Sequence, residues 1–276
     1  MEMKKESLHF YKYQGTGNDF ILLHNPNQQF ENRLTTPQIA WLCDRRFGVG
    51  ADGLMLLSPS DQADFRMIYY NSDGRESSMC GNGGRCITAF AHRLGLIGEH
   101  CTFDAIDGLH EAWIEENGLV RLKMGTPTGL ISLDERSLWL DTGSPHYVTF
   151  VEEELSDWDV EGEGKKVRYS EAFAREGTNV NFVNVLAPHR LRVRTYERGV
   201  EAETLSCGTG VTACAYARLS EMARSEGTLS IQTEGGELSV EVRKRGMPQE
   251  EVFLIGPATF VFEGQVVLPA LSNEGA

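Results

Sequence analysis

The chain has 276 residues, 26 of them basic and 40 acidic, for a net charge of −14 with the histidines neutral. That length suits two domains of ordinary size, each with its own core, and the acidity argues against nucleic acid or an anionic membrane surface as a partner. No apolar run approaches a membrane span, and Met1–Ser7 leads into strand-like sequence with no apolar signal-peptide core. Six cysteines are too few for a disulfide scaffold, so a reduced, cytoplasmic setting is expected. No metal site is expected either. Cys80 and Cys86 are not at zinc-knuckle spacing, nor are Cys207 and Cys214, and no histidine pair completes a set. Cys43, Cys86, Cys101 and Cys214 read as small core residues.

In chain order, Thr36-Pro37 opens a helix expected to end near Gly48, and Asp52-Gly53-Leu54 opens an apolar strand. A long helix is expected from about Asn82 to Leu94, with Ile87, Phe90, Ala91 and Leu94 at helical spacing and Gly95 as terminator. Glu116-Asn117-Gly118 between two alternating runs signals a hairpin. A second long helix is expected from about Thr209 to Met222. A last strand, about Val261 to Leu268, is expected to return to the first half.

The pattern repeats within the chain. Thr16-Gly17-Asn18 recurs as Thr142-Gly143-Ser144, Asp52-Gly53-Leu54 lies over Thr178-Asn179-Val180, and Phe65–Asn71 lies over Leu191–Glu197 at the same offset. Cys80 and Cys207 keep nearly that spacing. The expected fold is therefore α+β: two similar domains from an internal duplication, each a curved, mostly antiparallel sheet around one central helix, with the site in the cleft between them. Residues 1–126, joined by a C-terminal strand from about 261 to 276, form one half, and 127–260 the other.

Each cysteine stands just before a glycine-rich helix start, Cys80-Gly81-Asn82-Gly83-Gly84 and Cys207-Gly208-Thr209-Gly210. Unpaired backbone N–H groups and the positive end of the helix dipole favour a thiolate there. A gain of roughly 1–2 kcal/mol would lower the thiol pKa by about one unit from about 8.5. The same amides suit a substrate carboxylate, which takes on negative charge when the neighbouring α-proton leaves. Two such cysteines facing across one carbon can remove a proton from one side and return one from the other.

Gly15-Thr16-Gly17-Asn18-Asp19-Phe20, Asn71-Ser72-Asp73-Gly74, Met79-Cys80-Gly81-Asn82-Gly83, Gly143-Ser144-Pro145-His146, Tyr196-Glu197-Arg198-Gly199 and Cys207-Gly208-Thr209-Gly210 together resemble the diaminopimelate epimerases, in order, from about Phe10 to Gly264. The cysteine motifs alone would also suit proline racemase-like enzymes; the first motif and Tyr-Glu-Arg-Gly narrow the resemblance. It implies interconversion of LL- and meso-2,6-diaminopimelate in lysine and peptidoglycan precursor synthesis, with neither pyridoxal phosphate nor metal, by a homodimer. By that resemblance Cys80 and Cys207 are the acid–base pair. Backbone amides at Gly81-Asn82 and Gly208-Thr209 hold the reacting carboxylate, and Asn18, Asn71, Asn179, Glu197 and Arg198 recognise the distal centre. Arg198 suits a second carboxylate, Glu197 a second ammonium, and the asparagines either.

Two positions depart from that pattern. Ser144 stands where those enzymes usually carry asparagine, and reaches less far; Gly53 stands where a glutamine is common, and its side chain can contact nothing. Ser144 and His146 are expected in the site wall. A racemase for a smaller substrate such as proline is disfavoured by Asn82 and by Glu197-Arg198. A thiol hydrolase using His146 would leave the second cysteine motif unexplained, and a redox-sensing or binding protein would use the same two thiols without turnover.

Overall fold

The computed structural model describes residues 7–269. Residues 1–6 and 270–276, with the end of the expected C-terminal segment, lie outside the described residues. The first run of elements is β1 (Ser7–Gly15), β2 (Asn18–His24), α1 (Thr36–Cys43), β3 (Gly53–Ser58), β4 (Phe65–Asn71), β5 (Glu76–Ser77), α2 (Gly81–Arg93), β6 (His100–Ala105), β7 (Gly108–Ile114) and β8 (Val120–Met124). After β9 (Thr128–Ser132) the plan repeats: β10 (Ser137–Asp141), β11 (Pro145–Phe150), α3 (Val160–Arg168), β12 (Asn179–Ala187), β13 (Arg190–Glu197), β14 (Ala202–Thr204), α4 (Gly208–Glu221), β15 (Gly227–Thr233), β16 (Gly236–Arg243), β17 (Glu251–Gly256) and β18 (Thr259–Val267).

The duplication holds down to strand register. Leu54 faces Tyr70 between β3 and β4, and Val180 faces Tyr196 between β12 and β13, each partner 126 positions on. The parallel pair Phe20 and Gly53 has its counterpart in His146 and Asn179. Most other pairings are antiparallel hairpins. Along β16 the inward positions Leu238, Val240 and Val242 alternate with outward ones, as a half-buried strand requires. α2 and α4 are buried over most of their length, and each sheet curves around its own helix.

The halves are joined symmetrically. β8 pairs antiparallel with its counterpart β17, Leu122 facing Leu254. Beyond these strands the chain crosses over, so that β9 pairs with β10 and β18 pairs with β1. One apolar cluster runs through both halves, from Phe20, Met55 and Phe90 to Val211, Ala215 and Leu254. Cys43, Cys86, Cys101 and Cys214 are all buried and free.

Two local expectations need correcting. α1 stops at Cys43 and does not reach Gly48, because the Asp44 carboxylate takes the backbone N–H groups of Arg46 and Phe47 at 2.7 and 2.8 Å. Each half also carries a second helix, and α3 had no counterpart among the sequence expectations. Gly162 and Gly164 weaken its helical signal, yet Asp159 caps it through the Gly162 N–H at 2.9 Å. Acidic residues open its first turn and basic ones close its last, as the dipole favours.

Candidate active site

The starts of α2 and α4 meet at the centre of the molecule. Gly81 and Gly208 lie back to back: a Cβ built on Gly208 would come 3.3 Å from the Gly81 Cα, and either Cβ would press on Leu254 at 3.0 Å or less. Only glycine permits this approach. Cys80 and Cys207 are the N-cap residues of the two helices, both in extended conformation. Both line one open cavity of about 850 Å³ between the halves.

The two sulfurs have different neighbours. Cys80 Sγ accepts the Gly83 N–H at 3.2 Å, and its thiol points to Asn18 Oδ1 at 4.0 Å. Asn18 is held in that orientation because its Nδ2 donates to Asp52 at 2.7 Å. Cys207 instead lies 3.4 Å from the Thr209 hydroxyl, at the end of a directed chain. Asn181 Nδ2 donates to the Tyr147 carbonyl at 2.9 Å and to His146 Nδ1 at 3.1 Å. The histidine proton therefore sits on Nε2, 3.0 Å from Ser144 Oγ. Ser144 also accepts from Asn179 at 3.3 Å, so its own proton goes to Thr209 Oγ1 at 3.3 Å. The Thr209 proton is thereby directed at Cys207.

The expected lowering of the thiol pKa values does not occur. Burial pushes Cys80 up to about 11 and Cys207 up to about 12, the Glu197 carboxylate adding to both. Gly83 N–H at Cys80 and the Thr209 hydroxyl at Cys207 act in the opposite sense without overcoming it. Loss of water outweighs the helix dipole here.

The cavity wall brings together Asn18, Asn71, Asn82, Ser144, Asn179, Glu197, Arg198, Gly208 and Thr209. Gly81 is not on this wall; its contact with Gly208 and Leu254 takes it into the core. His146 is not on it either. It is fully buried behind Ser144, and burial, aided by the Arg198 charge, lowers its pKa to about 3, so the ring is neutral. Asn82 has its amide committed to Ser206 at 3.2 Å and to Arg85 at 3.0 Å. Asn179 likewise holds the Arg198 backbone N–H at 2.9 Å and the Pro145 carbonyl at 3.0 Å. Glu197 is half-buried and accepts from Thr204 at 2.9 Å; loss of water raises its carboxyl pKa and nearby Asp52 adds to that.

Sequence reasoning missed the supports beneath this wall. Arg85 is a fully buried arginine whose guanidinium binds the Gly81 carbonyl at 3.2 Å and Asn82 Oδ1 at 3.0 Å, tying the start of α2 in place. Burial lowers its pKa to about 10, which leaves it charged at neutral pH. Asp52, which orients Asn18, is gripped by Arg45 at 2.8 Å. Arg45 also binds Asp19, which meets Lys12 at 2.7 Å. Burial opposes the charge on Asp19, but hydrogen bonds from Arg45 and Lys12 hold its carboxyl far below the usual range. Thr16 of the first half bonds Ser206 of the second at 2.6 Å, and Thr142 bonds the Thr209 carbonyl at 3.0 Å. These two contacts, the first between halves and the second within one, were visible only as the recurring Thr-Gly pair, which carries no sign of its partner.

A family profile described as diaminopimelate epimerase matches residues 10–130 and 138–261, the two repeats in turn. The chain belongs to the diaminopimelate epimerase family. It is 49% identical over 253 residues to the diaminopimelate epimerase of Flavobacterium psychrophilum, covering 92% of this chain and 98% of that one. With the diaminopimelate epimerase of Chlorobaculum tepidum it shares 41% over 262 residues, covering 92% and 99%. Among solved structures the family fold recurs in a Bacillus anthracis phenazine biosynthesis protein of the PhzF family (TM-score 0.71, 15% identity, 95% of this chain and 100% of that one). It recurs also in a hydroxyproline epimerase from Agrobacterium vitis with bound trans-4-hydroxy-L-proline (TM-score 0.68, 16% identity, 98% and 95%). At such identities the likeness speaks for the fold alone.

Proposed function

We propose that this chain interconverts LL- and meso-2,6-diaminopimelate, with Cys80 and Cys207 exchanging the roles of base and acid, and with neither pyridoxal phosphate nor metal. The observation that carries the reading is the meeting of two cysteine-capped helix starts at one cavity that Glu197 and Arg198 also line. The reacting carboxylate lies against the amides at Asn82, Gly208 and Thr209, where helix N-termini stabilise the charge that develops as the α-proton leaves. One thiolate takes that proton, and the opposing thiol delivers its own to the other face. The burial that raises both thiol pKa values makes the thiolate a stronger base once formed. The substrate's α-ammonium brings a positive charge that favours the thiolate.

At the distal end Arg198 binds the second carboxylate and Glu197 an ammonium, with Asn18, Asn71 and Asn179 as neutral partners. Ser144 stands in the wall with His146 behind it. The two halves, 1–126 with the C-terminal strand and 127–260, act as the units that close on substrate. The enzyme works in the cytoplasm as a homodimer, in lysine and peptidoglycan precursor synthesis. The test is incubation of the purified protein with LL-diaminopimelate, without added cofactor, followed by separation of stereoisomers. The meso form should accumulate to a stable ratio, and L-proline should remain unchanged. Turnover of proline, or no change in diaminopimelate, would overturn the reading.

A further inference from the structure

Tyr69 lies in β4 and lines the same cavity, yet neither sequence motif nor resemblance drew it into the site. Its residue is 8% exposed, and its ring packs edge-on to Phe20 at 6.0 Å. The ring also covers Gly53, where a Cβ would come 2.5 Å from Cε2 and 3.0 Å from the hydroxyl. Gly53 thus sets the ring's position by leaving it room. Among the described residues no hydrogen bond engages the Tyr69 hydroxyl. A buried phenol normally finds a partner, so this one is left facing the cavity with its hydrogen-bonding capacity unspent.

We infer that the Tyr69 hydroxyl is a substrate-positioning group that accepts a hydrogen bond from an ammonium of the bound diamino diacid. The inference rests on the function proposed above. After burial, the groups acting most strongly on the phenol are Cys80, Asp52, Cys43 and Glu197, all acids, which keep it neutral. Glu197 has no cation partner among the described residues. A neutral oxygen and a half-buried carboxylate lining one cavity suit an ammonium, which can donate to both.

Tyr69→Phe removes the oxygen and keeps the ring over Gly53. Its KM for LL-diaminopimelate should rise about tenfold, the scale of one hydrogen bond to a charged group, with kcat changed less than threefold and Tm unchanged. An unchanged KM in Tyr69→Phe, with wild type active, would overturn this inference alone; so would a fall in kcat at constant KM. A wild type that leaves diaminopimelate unchanged would overturn both this inference and the function beneath it.

Discussion

The starts of α2 and α4 share one backbone plan and differ in what surrounds the sulfur. Both cysteines cap a helix beside a glycine, and those glycines touch. Yet Cys80 faces an acceptor, Asn18 Oδ1, fixed by Asp52, whereas Cys207 faces a donor, Thr209, fixed by the chain from Asn181 through His146 and Ser144. Duplication has supplied equivalent positions for two acid–base groups, and later side-chain changes have made them unequal. The wall differs in the same way: Asn71 of the first half corresponds to Glu197 of the second, so equivalent positions carry a neutral amide in one half and a carboxylate in the other.

The comparison breaks most sharply at the cysteines themselves. Cys80→Ser and Cys207→Ser should each abolish epimerisation with the fold intact by circular dichroism, since a hydroxyl is a far weaker acid than a thiol. Retention of more than about a tenth of wild-type turnover by either would remove that cysteine from the chemistry; a tenth corresponds to only about 1.4 kcal/mol of barrier. Cys86→Ser and Cys214→Ser, at buried helix positions, should lower stability while active-site titration of the folded fraction stays near normal.

Arg198→Ala should weaken diaminopimelate use at least about tenfold, a charge-assisted hydrogen bond being worth roughly 1.5–3 kcal/mol. Equal kinetics in variant and wild type would exclude Arg198 from substrate binding. A smaller effect should separate the two sulfurs. Ser144→Ala cuts the chain to Thr209, so the pH at which Cys207 becomes alkylated should move upward by less than about one unit, while that of Cys80 stays put. Peptide mapping after iodoacetamide would measure both, and equal shifts would mean that the chain does not act on Cys207.

The smallest expected effect is on stability. His146 is lowered to about 3 in the folded chain, against about 6.5 when unfolded. Below 6.5 the unfolded chain binds the extra proton, so the stability due to neutral His146 is complete above that pH and is lost progressively as pH falls toward 3. His146→Gln should flatten the fall in Tm between pH 6.5 and 4, and an unchanged slope would assign the acid sensitivity to other groups.

The backbone plan was legible because duplication writes each signal twice. The helix starts at Cys80 and Cys207 were placed within one residue, and the offset between Leu54 and Val180 reappears in strand register. What stayed hidden depends on contacts distant in sequence. Nothing near Arg85 announces that its guanidinium will hold the Gly81 carbonyl in a buried site, and a helix start signals a dipole but not the water that burial removes. The thiol shifts therefore came out in the opposite direction. His146 follows a motif, but its burial depends on Asn181 and the strand beside it.

The most direct test of two cysteines acting from opposite faces is a first-turnover experiment in heavy water, started from LL-diaminopimelate and stopped at low conversion. Mass spectrometry would follow deuterium at the α-carbon in the separated stereoisomers. The meso product should carry one deuterium from the earliest points while recovered LL substrate remains largely unlabelled, because the proton taken by one sulfur is not the one returned by the other. Meso product that retains the substrate's own proton would contradict the account, since a single base would then serve both faces.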